Sequence, residues 1–161
     1  MKDDSHILIQ HAELKDLAEI QTLFANTIKT VCRKDYSPEQ IETWVSSIED
    51  HGRWVNKLEM QYFLVARINN KIVGFSSLQN KDYLDFLYVH KDHQRKGIAS
   101  KLYHAIETAA MERGSVFLKS DVSITAKSFF ISRGFKVVRE QLRMLNGVGL
   151  VNYEMIKELP E

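Results

Sequence analysis

Gln94-Arg95-Lys96-Gly97-Ile98-Ala99 is the stretch of this chain best equipped to hold an anion. Tyr83-Leu84-Asp85-Phe86-Leu87-Tyr88-Val89 precedes it, and its aromatic and branched residues read as a strand. Residues 100–111 follow it and read as a helix. The first amides of a helix lack internal acceptors, and the helix dipole places partial positive charge there. Gly97 and Ala99 keep side-chain bulk away, so a phosphate can approach the backbone. Arg95 and Lys96 add mobile positive charge beside it. The chemistry implied is a pyrophosphate cradle.

The whole-chain balance narrows what such a cradle serves. The chain has 161 residues, enough for one domain over 1–161 with a real core. Its 22 basic and 21 acidic residues leave a net charge of +1, which argues against a nucleic-acid binder. Cys32 is the one cysteine, so no internal disulfide is possible and a reducing compartment is expected. Met1-Lys2-Asp3-Asp4-Ser5-His6 is polar and does not read as a signal peptide. No apolar run approaches membrane-spanning length, so a cytoplasmic protein with no membrane partner is expected.

The elements that must position the cradle follow from periodicity and punctuation. Ile7-Leu8-Ile9 reads as a first strand. Leu14, Leu17, Ile20, Leu23, Phe24, Ile28 and Val31 form a helical stripe, with Asp16 as its expected N-cap. Ser37-Pro38-Glu39-Gln40 starts a second helix, with Ser37 as cap, Pro38 at the first helical position and Gln40 closing a capping box. His51-Gly52-Arg53 is read as the end of that helix, and Trp54, Val55 and Leu58 as one more short turn. Two strands flank Asn69-Asn70, and Asn80-Lys81-Asp82 turns into the strand before the cradle. The helix after the cradle is expected to bury Ile98, Leu102, Ala105, Ile106, Ala109 and Met111. A strand at residues 116–122, a helix closed by Gly134, and a hairpin about Asn146-Gly147 complete the chain. The order is β-α-α-β-β-β-α-β-α-β-β, which predicts an α+β fold. Its sheet is expected to be mostly antiparallel, with a parallel pair where the cradle helix crosses over.

This order resembles that of the GCN5-related N-acetyltransferase (GNAT) family. The family's cofactor motif is Arg/Gln-x-x-Gly-x-Gly/Ala, and Gln94-x-x-Gly97-x-Ala99 matches each defined position. Downstream, Ala126-x-x-Phe129-Phe130-x-x-x-Gly134-Phe135 resembles the family's Ala-x-x-Phe-Tyr-x-x-x-Gly-Phe. Tyr36-Ser37-Pro38, Ile124-Thr125-Ala126-Lys127 and Asn152-Tyr153-x-Met155 are similar to a bacterial stand-alone subgroup. The resemblance covers residues 7–156. It implies the GNAT fold, splayed between strands 4 and 5, with acetyl-CoA as donor and an amine as acceptor. The pyrophosphate would sit on amides from Arg95 to Ser100, beside Gln94, Lys96, Gly97, Ile98 and Ala99. The pantetheine arm would pair with the backbone of Leu87, Tyr88 and Val89. Phe129 and Phe130 would line its other side, and an N–H near Val89 would polarise the acetyl carbonyl.

Amine acetylation needs a neutral amine, a stabilised oxyanion and a proton for the leaving thiolate. Asp85, alone in an apolar strand, is the first base candidate; its other reading is a carboxylate paired with a nearby cation. Tyr83 shares its predicted face and is read as core. The family's usual acid is the Tyr of the downstream motif, and Phe130 occupies that slot without a proton to give. Tyr153 on the last strand is a candidate substitute, otherwise a half-buried sheet tyrosine. Tyr36, Trp44 and Trp54 lie in the segment that shapes the acceptor site in this fold, either as an aromatic floor or as core. His90 and His93 are read as surface residues, with no metal site, and Cys32 as a small buried hydrophobe.

The alternative reading is a non-catalytic CoA-binding or regulatory module, favoured by Phe130. A P-loop nucleotide-binding protein fits poorly without Gly-x-x-x-x-Gly-Lys-Ser/Thr. The acceptor is a small-molecule or protein amine. An exposed last-strand edge is the expected place for a homodimer contact.

Overall fold

The computed structural model describes residues 6–161; the polar run from Met1 to Ser5 lies outside them. Seven strands form one sheet in the order β1-β2-β3-β4-β5-β7-β6. They are β1 (Leu8–His11), β2 (Tyr62–Ile68), β3 (Lys71–Gln79), β4 (Tyr83–Val89), β5 (Phe117–Ser123), β6 (Lys136–Leu145) and β7 (Val148–Glu158). All neighbours are antiparallel except β4 and β5. The helices are α1 (Leu17–Val31), α2 (Pro38–Val45), α3 (His51–Met60), α4 (Ile98–Glu112) and α5 (Lys127–Ser132). One apolar core joins α1, α2 and α3 to one sheet face, and a second joins α4 and α5 to the other.

Local chemistry sets most of the boundaries. Ser37 Oγ accepts from Gln40 N at 3.2 Å, and Gln40 Oε1 accepts from Ser37 N at 2.8 Å, so α2 begins with a closed capping box. Asn69 and Asn70 have φ of 50° and 66°, and Asn146 and Gly147 have 48° and 80°, as hairpin turns with two left-handed residues require. Asp16 is not a side-chain N-cap of α1. Its carboxylate accepts from Glu13 N at 2.9 Å and Arg67 at 2.6 Å, so the chain enters α1 through a short 3-10 turn.

Three boundaries differ from expectation. His51-Gly52-Arg53 opens a ten-residue helix instead of closing one, because Asp50 Oδ1 accepts from Arg53 N at 3.2 Å. Met111 is 39% exposed, since α4 has turned its last residues off the sheet. The free sheet edge on this side is β6, not the last strand, because β7 inserts between β5 and β6.

Gly74 on β3 fixes how closely α4 packs. A Cβ there would lie 2.8 Å from Leu102 Cδ1, 3.0 Å from the Tyr88 carbonyl oxygen and 3.1 Å from Ile98 Cγ2. Ile98 begins α4, so this contact sets the height of the cradle above the sheet. Gly74→Ala is expected to lower the unfolding free energy by about 1–3 kcal/mol through overpacking. Gly52→Ala, whose Cβ meets nothing within 4 Å, is expected to be neutral or to raise it by up to about 1 kcal/mol. Urea-unfolding midpoints of the two variants make the comparison, and equal losses would contradict it.

Candidate active site

The site begins where the parallel pair stops pairing. Tyr83 and Lys119 are the only register partners of β4 and β5 among the described residues. Lys119 N donates to the Asp82 carbonyl at 2.7 Å, and Ser120 Oγ donates to the Leu84 carbonyl at 2.8 Å. Beyond that serine the strands part and leave a cleft of about 540 Å³.

The open wall of the cleft is the end of β4. His90 N donates to the Val73 carbonyl at 2.8 Å. Antiparallel alternation therefore turns the N–H groups of Leu87 and Val89 away from β3 and toward the parting. The Val89 carbonyl is already taken twice, by Thr27 Oγ1 at 3.0 Å and by Gln94 Nε2 at 2.7 Å. Gln94 also reaches the His90 carbonyl at 3.3 Å. The glutamine of the cradle motif is thus a staple that folds the turn back onto the strand end.

The turn itself uses two left-handed residues, Arg95 at φ 60° and Gly97 at φ 83°. Gly97 is the N-cap of α4 and makes no side-chain cap bond, which leaves the first-turn amides from Ile98 to Ser100 facing outward. Ile98 contributes backbone only, because its side chain is buried beneath the turn. Arg95 and Ala99 line the cleft, while Lys96 is exposed at the rim. Ser100 Oγ accepts from Arg133 at the end of α5, tying the two helices together. Phe129 and Phe130 line the far side. Phe130 is 4% exposed and packs edge-on against Phe135 at 5.0 Å.

A bulge in β4 shapes the other half of the cleft. Ser76 pairs with Leu87, but Leu78 pairs with Leu84, so Ser77 faces two residues. Asp85 and Phe86 both turn toward α1 and α3 as a result. Asp85 Oδ2 accepts from Lys57 Nζ at 2.7 Å and Gln61 Nε2 at 2.8 Å. This is the paired carboxylate that the sequence left as one of two readings. Lys57 Nζ also sits 4.8 Å from the Phe86 ring centre. Asp121 is the second carboxylate of the cleft. It accepts from Tyr83 Oη at 2.7 Å and Gln141 Nε2 at 2.6 Å, with an Arg143 nitrogen 3.6 Å away. Burial, then the bond to Asp121, pushes the Tyr83 phenol well above its ordinary range, so Tyr83 belongs to a polar network and is not plain core.

Tyr36, Trp44 and Trp54 all line this half. Tyr36 Oη donates to the Val151 carbonyl at 2.6 Å and accepts from Ile124 N at 3.0 Å. Thr125 Oγ1 donates to Asp35 Oδ2 at 2.8 Å. The loop between α1 and α2 therefore bridges the parting from above. Trp54 is 3% exposed, stacks on Phe86 at 5.0 Å and donates Nε1 to the Ser47 carbonyl at 3.0 Å, so it is packing. Trp44 is half-buried with its ring 5.3 Å from Tyr36. Tyr88, assigned to the donor through its backbone, sends its ring into the acceptor half against Phe24 and Phe75. Cys32 is buried and lines the cleft, and burial pushes its thiol up.

Tyr153 is not brought to the site. It is not among the residues lining the cleft. Its hydroxyl lies 3.4 Å from Glu140 Oε1 and its ring 4.2 Å from Lys127 Nζ. The alternation of β7 is the reason: Asn152 takes the cleft-facing position, and Tyr153 faces the layer of Met155 and α5. His90 and His93 stack edge-on at 5.2 Å and are half-buried. Among the described residues no group of three or more His, Cys, Asp or Glu could hold a metal ion. No helix among them is long and apolar enough to cross a membrane.

Thr27, Arg53, Lys57, Gln61, Asp121 and Arg143 were missed from sequence. Thr27 left a trace as a polar residue inside the α1 stripe, and Asp121 as a carboxylate in an apolar strand. Lys57 and Gln61 share a helix face at four-residue spacing. Arg143 left none.

A mixed sheet split at its one parallel pair, with an amide cradle at the head of the split, defines an acetyltransferase architecture. Residues 32–157 match the family model described as an acetyltransferase (GNAT) domain. The chain belongs to the GNAT family and is an N-acetyltransferase. It is 32% identical over 151 residues to the uncharacterized N-acetyltransferase YafP of Escherichia coli K12, covering 94% of this chain and 95% of that one. The GCN5-related N-acetyltransferase (aminotransferase, class-II) of Rhodopseudomonas palustris is 33% identical, with a TM-score of 0.92 over 94% of this chain and 95% of its own. The PaiA N-acetyltransferase of Thermoplasma acidophilum, solved in complex with coenzyme A, shares the fold at 22% identity. Its TM-score is 0.78, over 94% of this chain and 98% of its own.

Burial, opposed by the Ile124 amide, pushes the Tyr36 phenol from 10.0 up to about 12. A phenol whose folded value is raised gives stability that is present below its unfolded value and lost as pH climbs through the folded one. Unfolding free energy is expected to fall between about pH 10 and pH 12. Tyr36→Phe should flatten that decline and cost about 1–3 kcal/mol at neutral pH, because Val151 and Ile124 lose a partner. Chemical unfolding at a series of pH values checks both, and an unchanged slope would contradict the assignment.

Proposed function

We propose that this N-acetyltransferase moves the acetyl group of acetyl-CoA to an amine by direct attack in a ternary complex. One observation carries the proposal: Gln94 staples the cradle to the carbonyl of Val89 at 2.7 Å, so the anion site and the open N–H of the same strand end form one unit. The pyrophosphate fits the amides from Arg95 to Ser100, with Lys96 and Arg95 as flanking charge. The pantetheine arm fits the unpaired backbone of Leu87 and Val89, against Phe129 and Phe130. Coenzyme A in the PaiA structure and acetyl-CoA in the YncA structure of Salmonella typhimurium support the choice of donor.

In the reaction the neutral amine attacks the thioester carbonyl carbon. The C–N bond forms, and the Val89 N–H meets the developing oxyanion. The C–S bond then breaks and the thiolate departs. The attacking nitrogen gives up a proton, and the thiolate or solvent takes one up. Phe130 supplies no phenol for that last step, and a thiolate leaves without a dedicated acid. Asp85 is the base of this proposal. Its Oδ2 holds Lys57 and Gln61, so Oδ1 is the atom that accepts the amine's proton through water. Tyr153 has no part in it.

Acetyl-CoA supplied with an amine panel should give free thiol in proportion to the amine added. Thiol release independent of amine would overturn the proposal. Asp85→Asn should lower kcat by roughly 100-fold, the lower end of general-base effects, with CoA affinity unchanged. A wild-type kcat would remove Asp85 from the mechanism. Gly97→Glu places a carboxylate in the cradle at a left-handed position. Calorimetric titration with CoA should show binding lost, and unchanged affinity would remove the cradle assignment.

A further inference from the structure

The acceptor half of the cleft carries more cations than carboxylates, and each carboxylate already has a cation beside it. Among the described residues lining the cleft away from the cradle, Lys34, Arg53, Lys57 and Arg143 are cations and Asp85 and Asp121 are the carboxylates. Asp85 is held by Lys57 and Gln61. Asp121 is held by Tyr83 and Gln141, with Arg143 nearby. Asp35, close to Lys34 in sequence, accepts from Thr125. Lys34 and Arg53 are exposed and have no carboxylate partner among the described residues. The cations come from three separate walls: the loop after α1, α3, and β6. Between them lie the rings of Trp44, Phe86 and Tyr88.

From this arrangement we infer that the acceptor is an amine that carries a carboxylate, an amino acid or a close relative, and not a polyamine or aminoglycoside. The inference rests on the N-acetyl transfer proposed above. A polycation finds no carboxylate without a cationic partner in this lining and faces four cations against two carboxylates. A carboxylate finds charge-assisted donors, two of them guanidinium groups able to bind both of its oxygens. The same field serves the chemistry. Neighbouring cations disfavour the ammonium form of the acceptor and so raise the fraction of neutral amine that can attack. The products are an N-acetyl amino carboxylate and free CoA. The amine proton released on C–N bond formation passes through water to Asp85 Oδ1, and the thiolate left by C–S cleavage takes a proton from solvent.

The test is a panel of the proteinogenic amino acids, each beside its C-terminal amide, with spermidine and an aminoglycoside, read by thiol release from acetyl-CoA. The best free amino acid should exceed its own amide in kcat/KM by about tenfold or more, the worth of one charge-assisted hydrogen bond. Arg53→Met and Arg143→Met should each shrink that ratio by raising KM for the carboxylate, while CoA affinity is unchanged. Arg53 is exposed, so its variant keeps the test open if Arg143→Met fails to fold. Preference for the amides, spermidine or the aminoglycoside would overturn this inference and leave amine acetylation standing. Absence of amine-dependent thiol release from protein that binds CoA would overturn both.

Discussion

The structure depends on a sheet that is made to stop pairing. Backbone N–H and C=O groups in a strand require partners, and an interior strand with open groups is costly. β4 and β5 meet at Tyr83 and Lys119 and then separate. Every device nearby limits that cost to the few groups that are useful open. Ser120 closes the Leu84 carbonyl at the point of parting. Thr27 and Gln94 together close the Val89 carbonyl. What is left open is the backbone of Leu87 and the N–H of Val89, at the end of a strand that leads within a few residues to a helix N-terminus. Thiol ester and pyrophosphate are both hungry for donors, and one covalent segment supplies both.

Holding such a split open requires something to span it, because neither half of the sheet can brace the other through a ladder. Tyr36 does this with one oxygen, reaching β7 and the turn before α5 at once. Gln40 adds a second tie by donating to the Gly149 carbonyl at 2.9 Å. The capping box that starts α2 therefore has a tertiary role as well: Ser37 holds one end of the glutamine while its amide holds the far hairpin. On the opposite face Gly74 lets α4 settle onto β3. The cradle's height and the cleft's width are thus set by different residues on different faces of the sheet.

Local rules made much of this legible. The turn into α4, the Ser37 box and the Asn69-Asn70 and Asn146-Gly147 turns all rest on interactions within a few residues, and each lies where its chemistry placed it. What the sequence concealed was long-range or alternation-dependent. Lys57 meets Asp85 across 28 positions and Tyr36 meets Val151 across 115, and no periodicity encodes either pair. The β4 bulge shifts the strand's alternation by one, which joins Asp85 to the face of Phe86. Tyr153 lies outside the cleft lining for the complementary reason. Its neighbour Asn152, with the more modest side chain, holds the cleft-facing position. The start of α3 at Asp50 was hidden by Gly52, which reads as a helix end but sits in a first turn whose cap carries the signal.

The substitution at Phe130 and the charge of the cleft are parts of one arrangement. A phenol at that slot gives the thiolate a proton and so supports departure. Phe130 instead packs against Phe135 and Phe129 in the core beneath α5, and the chain invests its polarity on the acceptor side. In the proposed reaction, the cations on these walls would bias the nucleophile toward its neutral form before attack. The burden of proton control shifts from the leaving group, whose thiolate is stable enough to depart unaided, to the amine, whose proton must be gone for any reaction to begin. On the inferred amino-carboxylate acceptor, the feature that speeds deprotonation would also be the one that selects the substrate.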